Sequence, residues 1–386
     1  MTAALEVSTH PIPVMKPLLG EQEAQAAAEA VASGWVAQGP RVAAFERAFA
    51  DRVGAAHGVA VSSCTTALHV ALVALGIGPG DEVVVPSFSF IATTNAPTYA
   101  GATPVFADVD IATGNLSPQT IEAVLTPRTK AVILVHQGGI PADVDAVRSL
   151  CEPRGVAVLE DAACAAGSTY RDRPVGSGAT LAAWSFHPRK LLTTGEGGMV
   201  TTEDAEWASR LRRLREHGMN VSAADRHARG HVVLEQYLEV GFNYRMTDVQ
   251  AAIGLVQVTR LDDIVRRRRE LAARYHAMLA DVENLATARD PEWGTTNYQS
   301  FWVLLPDDSP VERNDVLAEL AVQGISARRG IMAAHLEPAY AEMGHVPLPS
   351  TEALTNRSLI LPLYHDLTES DQQRVIAALR SAARLS

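Results

Sequence analysis

At 386 residues, 47% hydrophobic and 20% charged, the chain is long enough for a large domain plus a smaller one and has an ordinary globular composition. Its formal net charge of -11 argues against a nucleic-acid-binding face, which needs a basic surface, and no apolar run reaches the length of a membrane span. The three cysteines, Cys64, Cys151 and Cys164, lack metal-ligand spacing and are too few for a disulfide scaffold, so reduced thiols and no metal site are expected.

Met1 to Glu6 carries no basic stretch followed by an apolar core, so a cytoplasmic protein is expected. From about Gly54 to Glu216 strand-like and helix-like segments alternate. Val59-Ala60-Val61 leads into an apolar helix, Ala67 to Leu75, closed by Gly76. Glu82 to Val85 reads as a buried strand stopped by Pro86, and Pro104 to Ala107 and Ala131 to Val135 read as two more. The helix between those two starts at Ser117-Pro118, an N-cap followed by proline at the first helical position. Val156 to Leu159 and Leu181 to Phe186 complete the series. Continuous apolar strands with intervening helices predict a mostly parallel sheet covered on both faces, whose ligands bind beyond the carboxyl ends of the strands. Ser62, Asp161 and Ser185 all fall at such ends.

The 220–237 loop has no readable pattern and is expected to shape a pocket. After Gly241 to Arg245 a helical stretch runs from about Asp248 through Leu279. It contains Arg266-Arg267-Arg268-Arg269, whose side chains would point around the helix as a solvated face. A smaller mixed region follows, with Phe301 to Leu305, Val311 to Gln323 and a last helix from Glu369 to Ala383. This predicts a large domain over residues 1–255 and a smaller α+β domain over 256–386.

Three segments carry chemistry. Ser62-Ser63-Cys64-Thr65-Thr66 opens a helix, where unpaired N–H groups and the positive dipole end make an anion site. A plain N-cap run is the alternative. Asp161 closes a buried strand and stays ionised there only with a cationic partner, unless it simply caps the next turn. Lys190 follows Ala183-Trp184-Ser185-Phe186-His187-Pro188-Arg189 and precedes Gly195-Glu196-Gly197-Gly198, which can hold it in a site, although most lysines are surface charges. His187 reads as a packed or surface residue. Phe88 and Phe90 alternate along the chain, so one can face a ligand while the other packs. An amine nucleophile, a carboxylate and a phosphate-cradling turn are what pyridoxal phosphate requires.

The ordered set of motifs resembles the DegT/StrS family of pyridoxal-phosphate-dependent sugar aminotransferases, which have the fold-type I architecture. The matching stretches are Gly34 to Pro40, Ser62 to Thr65, Pro86 to Phe90, Pro141 to Asp143, Glu160 to Ala163, Ser185 to His187 with Lys190, Gly241 to Arg245, and Leu361 to Tyr364, nearly the whole chain. The resemblance implies a seven-stranded, mostly parallel sheet between helices. It implies Lys190 as the Schiff-base lysine and Asp161 as partner of the pyridine nitrogen. Phe90 would stack on the ring. Cys64, Thr65, Ser185 and, from the other subunit of a homodimer with shared sites, Asn243 would hold the phosphate. Arg245, Arg329 and His335 would lie on the sugar-nucleotide side.

Two residues depart from the family pattern. Cys64 stands where Gly or Ala is usual, which matters little if only its N–H is used. Cys164 stands where Gln or His commonly contacts the cofactor's ring or its 3'-oxygen, and a thiol is a weak hydrogen-bonding partner. The implied reaction is a two-stage amino transfer from an amino acid, L-glutamate by family habit, to a nucleotide-linked keto-sugar, foremost a dTDP-4-keto-6-deoxyhexose. Amination at C3, a keto-cyclitol substrate and a non-catalytic cofactor-binding regulator are the alternatives. The family's dehydratase branch, which has histidine in place of the lysine, is excluded by Lys190. A nucleotide-binding dehydrogenase lacks its G-x-G-x-x-G fingerprint here.

Overall fold

The computed structural model describes residues 10–221, 234–344 and 346–385. The readings made on Met1 to Glu6 and on the central part of the 220–237 loop lie outside the described residues.

Short β-branched runs between glycine, proline and polar breakers set the strands of one large sheet. They are β1 (His57–Val61), β2 (Glu82–Pro86), β3 (Thr103–Ala107), β4 (Thr129–Val135) and β5 (Ala157–Asp161). After an excursion through β6 (Thr169–Tyr170) and β7 (Arg173–Pro174) come β8 (Leu181–Ser185) and β9 (Gly198–Thr202). The seven-stranded sheet has the order β1-β9-β8-β5-β4-β2-β3. Neighbours from β8 to β3 are parallel, whereas β9 is antiparallel to both β8 and β1. Two reversals cancel, so β1 runs with β8, and the carboxyl ends of β1, β8 and β5 share one rim. β9 has no counterpart in the sequence reading, because its glycine start looks like the end of a loop.

Before the sheet come α1 (Glu21–Ala32) and α2 (Pro40–Val53); α3 (Cys64–Ala74), α4 (Ala92–Tyr99), α5 (Pro118–Glu122) and α6 (Val144–Cys151) fill the crossovers, and α7 (Ala205–Leu214) follows β9. Alternate strand residues enter opposite layers, as the twofold period of a strand requires. Val59, Val61, Val83, Val85 and Ile133 pack with Leu68 of α3 and Leu211 of α7, while Ala60, Val84, Val132, Leu134 and Trp184 pack with Phe45 and Phe49 of α2. Each such buried Val, Leu or Phe is worth about 1.5–3 kcal/mol over its exposed state, so the rim stands on a stiff platform. α5 begins as the sequence predicts, with Ser117 Oγ accepting from the Thr120 N–H at 3.3 Å and Pro118 in the first turn.

The predicted helical stretch from Asp248 to Leu279 is two helices, α8 (Asp248–Thr259) and α9 (Leu261–Met278), broken at Arg260. Arg260 is drawn toward α1, bonding Gln22 Oε1 at 2.8 Å and Glu23 Oε1 at 3.1 Å. The arginine run on α9 also differs from the expected solvated face. Arg266 does pair outward, with Asp263 and Glu270, and Arg267 also reaches Glu270 at 3.5 Å. Arg267 donates to the carbonyls of His365 and Leu367, and Arg269 to Asp290 and the Thr296 carbonyl. Arg268 is only 2% exposed and donates to the carbonyls of Tyr298 at 2.7 Å and Gln299 at 2.8 Å. Burial lowers its pKa to about 9. Carbonyls of an irregular segment need donors, and a row of arginines supplies them.

The C-terminal part builds an antiparallel sheet, β10 (Ala286–Thr287), β12 (Phe301–Leu304), β14 (Ser358–Leu361) and β13 (Arg328–Arg329), in that order. Short β11 (Gly294–Thr295) instead joins β6, and α10 (Arg313–Val322), α11 (Pro349–Arg357) and α12 (Glu369–Ala383) complete the chain.

Candidate active site

The site grows on the shared rim. Beyond β1, Ser63 caps α3: its Oγ accepts from the Thr66 N–H at 3.2 Å, and Thr66 Oγ1 accepts from the Ser63 N–H at 3.0 Å. The N–H groups of Cys64 and Thr65, in the first turn, have no acceptor inside the helix and stand at its positive end. Val61, Gly198 and Ser185 form one row across β1, β9 and β8. A Cβ on Gly198 would meet the Ser63 carbonyl at 2.4 Å and the Cys64 nitrogen at 2.6 Å, so only glycine seats the helix start this close to the sheet. Half-buried Ser185 is brought beside it. Burial, then the Asp161 charge, pushes the Cys64 thiol well above its ordinary value, which leaves it neutral at neutral pH.

Asp161 ends β5, only 5% exposed. Its Oδ2 accepts from Thr93 Oγ1 at 2.9 Å, and Oδ1 from the Ala163 N–H at 3.2 Å. Ser89 Oγ lies 2.8 Å behind Thr93 Oγ1. Among the described residues no Lys, Arg or His makes an ion pair with Asp161, and burial raises its pKa against the pull of those two hydrogen bonds and of the Lys190 and His136 charges. Glu160, next to it, faces the other layer, where it pairs with Arg148 at 2.9 Å and accepts from His136 Nε2 at 3.2 Å.

Lys190 lies on the loop between β8 and β9, its N–H donating to the His187 carbonyl at 2.8 Å. The chain has three lysines; Lys16 and Lys130 are exposed, and Lys190 turns its Nζ inward to 3.0 Å from Cys164 Sγ. Burial pulls its pKa down, but Cys164, Cys64 and Asp161 pull it up, and the balance leaves it above the ordinary lysine value. Asp161, Lys190 and both thiols therefore occupy one electrostatic neighbourhood.

The remaining expected residues stand around this centre. Phe88 packs in the core, while Phe90 is 58% exposed. His187 is half-buried, with Nδ1 accepting from the Arg189 N–H at 3.1 Å. Asn243 is exposed; its backbone pairs with Glu216, and its side chain makes no hydrogen bond among the described residues. Arg245 pairs by backbone with Val61 and sits 3.7 Å from Glu216. Arg329 is exposed and 3.4 Å from Glu337. His335, expected on the sugar side, is 5% exposed; Ser87 Oγ lies 2.6 Å from its Nδ1 and Glu352 3.5 Å from its Nε2. Its ring locks the 333–335 segment onto the end of β2 and has little surface left for a substrate.

The sequence profile of the DegT/DnrJ/EryC1/StrS aminotransferase family matches residues 17–380. The chain belongs to that family. Among solved structures it is similar to the aminotransferase TlmJ from Streptoalloteichus hindustanus, at 39% identity and a TM-score of 0.88, over 96% of this chain and 98% of that one. It is similar to S. venezuelae DesV, solved in complex with a ketimine intermediate, at 34% identity and a TM-score of 0.87, over 97% and 99%. Helicobacter pylori PseC, an aminotransferase involved in the biosynthesis of pseudoaminic acid, matches at 26% identity and a TM-score of 0.90, over 97% and 99%. This member of the DegT/DnrJ/EryC1/StrS family is thus a pyridoxal-phosphate-dependent sugar aminotransferase of fold type I.

The residues present fit that cofactor. A buried carboxylate with no ion-pair partner among the described residues suits a ring N–H⁺, a helix start with free N–H groups suits a phosphate, and one inward lysine suits a carbonyl. Sequence reasoning missed Thr93, Asn297 and Gln299, which position these groups. Thr93 gave no signal, being one of several polar residues in α4. Asn297 and Gln299 sit in an irregular segment with no pattern to flag them.

Proposed function

We propose that this aminotransferase moves the amino group of L-glutamate to the 4-keto carbon of a dTDP-linked 4-keto-6-deoxyhexose. The observation that carries the reading is the pairing, on one rim, of an inward Lys190 with a buried Asp161 that makes no ion pair among the described residues. Asp161 would hold the ring nitrogen, Lys190 the aldehyde carbon, Cys64 and Thr65 the phosphate through their N–H groups, and Ser185 through its hydroxyl. Phe90 would cover the ring. Pyridoxal phosphate, when bound, supplies the sink for the electrons of a broken C–H bond. Lys190 Nζ takes the α-proton of the donor amino acid in the first stage and delivers a proton to the sugar carbon in the second. Arg245 and Arg329 stand outside this centre and are assigned to the substrate side. The small-domain division is placed near Leu255, and the free thiols suit a reducing cytoplasm. Among the described residues no helix is long and apolar enough to cross a membrane.

Asn243 is assigned to the phosphate of a second copy. Its exposure supports this, as does the neighbouring apolar surface of Leu234, Tyr237, Leu238 and Val240, exposed by 84%, 63%, 59% and 87%. Mixing separately inactive Lys190→Ala and Asn243→Ala proteins is then expected to restore up to about a quarter of wild-type activity, because mixed dimers hold one intact site. No recovery after subunit exchange would place Asn243 outside the partner's site. The donor reading is checked by a half-reaction: L-glutamate alone is expected to release one 2-oxoglutarate per bound cofactor.

A further inference from the structure

We infer that Gln299, backed by Asn297, is a positioning residue that fixes the backbone on both sides of Lys190 and so sets where its Nζ can reach. This rests on Lys190 being the cofactor-anchoring lysine. The loop carrying Lys190 has no ladder to satisfy its peptide groups. A single side-chain amide does so instead: Gln299 Nε2 donates to the Arg189 carbonyl at 2.6 Å, and Gln299 Oε1 accepts from the Leu191 N–H at 3.1 Å. One planar group thus grips the chain immediately before and after the lysine, as a neighbouring strand would.

Gln299 is itself fixed. Its N–H donates to Asn297 Oδ1 at 2.7 Å, and its carbonyl accepts from the buried Arg268 guanidinium at 2.8 Å. Asn297 Nδ2 in turn donates to the carbonyls of Cys164 and Ala166, both at 2.8 Å. Asn297 Oδ1 fills the space beside Gly139, where a Cβ would fall 2.0 Å away at a φ of +93°. The same two amides therefore hold the backbones of both Lys190 and Cys164, whose side chains meet at 3.0 Å. A flexible four-carbon side chain has a defined reach only if its root is immobile, and misplacing a reacting group by about 1 Å costs about 10²-fold in rate.

The test compares the holoenzymes of Gln299→Leu, Gln299→Glu and Thr201→Val. Thr201→Val removes a buried hydrogen bond at the Trp184 indole, 2.8 Å long and involving neither the Gln299 nor the Asn297 amide, and so controls for loss of stability. Gln299→Leu is expected to lower kcat by about 10- to 100-fold with KM for the sugar substrate changed less than about threefold. It is also expected to move the pH midpoint of the lysine-bound cofactor's absorbance. Gln299→Glu, which keeps the acceptor for Leu191 and loses the donor to Arg189, should fall between, and it stands in if Gln299→Leu does not fold. Thr201→Val should lower Tm and leave both kcat and the midpoint in place. Gln299 variants that lose only Tm, with wild-type kcat and midpoint, would overturn the inference. Borohydride reduction and peptide mapping test the premise separately, since trapping the cofactor on Lys16 or Lys130 would sink the Lys190 assignment itself.

Discussion

Lys190→Ala is expected to lower sugar amination by at least about 10⁴-fold, the largest effect of any single substitution in the chain. On the proposed roles two functions would be lost together: the amine that holds the cofactor's aldehyde, and the base that moves the proton between donor and acceptor carbons. No other lysine can take over, because Lys16 and Lys130 are exposed and lie outside the rim. Lys190→Arg is expected to do no better, since a guanidinium keeps its proton and forms no imine under these conditions. The variant should fold, because among the described residues the Lys190 side chain makes one hydrogen bond, to Cys164. Steady-state amination and the absorbance of the lysine-bound cofactor are the measurements; a variant within tenfold of wild type in both would contradict the role.

Asp161→Asn is expected to reduce kcat by about 10²- to 10³-fold, the range seen when one preorganised electrostatic group is removed. The same substitution should act in the opposite direction on the stability of the cofactor-free protein. Burial raises the Asp161 pKa in the folded state. A raised value means the folded protein holds the proton more tightly than the unfolded chain. The stabilisation is therefore full below the unfolded carboxylate value of about 3.9 and is lost as pH rises through the folded value. At neutral pH the buried carboxyl group therefore carries a cost that asparagine does not. Cofactor-free Asp161→Asn is thus expected to melt above cofactor-free wild type at pH 7, with the gap closing toward acid pH. Bound cofactor, if Asp161 pairs with its ring nitrogen as proposed, would supply a cation in direct contact and should reverse the order. Melting curves of both proteins with and without pyridoxal phosphate check this; a lower Tm for the cofactor-free variant at pH 7 would show that Asp161 is a structural carboxylate.

Much of the rim was legible in the sequence because it depends on local pattern. Apolar runs ending in Ser62, Asp161 and Ser185 identify strands and their carboxyl ends, and a parallel sheet then brings those ends together. The Ser63 cap and the Ser117-Pro118 helix start are likewise local chemistry. β9 escaped because a five-residue strand opening on Gly198 is indistinguishable from a loop until its partners β1 and β8 are in place. The break at Arg260 and the inward turn of Arg268 escaped for a related reason, since both are set by partners far along the chain, Glu23 and Gln299. Cys164 was noticed for its residue type, but its contact with Lys190 depends on the Asn297 and Gln299 amides. One composition signal was available and unused. The chain has three lysines among its 33 basic side chains, so arginine fills nearly every other basic position. A lysine on the loop that follows a buried strand is where an amine, and not a guanidinium, is required.

The central claim is tested most directly by following the nitrogen. Holoenzyme is incubated with ¹⁵N-labelled L-glutamate and an equimolar mixture of dTDP-linked 3-keto- and 4-keto-6-deoxyhexoses, and the sugar products are identified by mass and fragmentation. The account predicts ¹⁵N on C4 of the 4-keto sugar, none in a Lys190→Ala reaction, and 2-oxoglutarate in equal amount. Label confined to C3, or 2-oxoglutarate formed without label in either sugar, would contradict it.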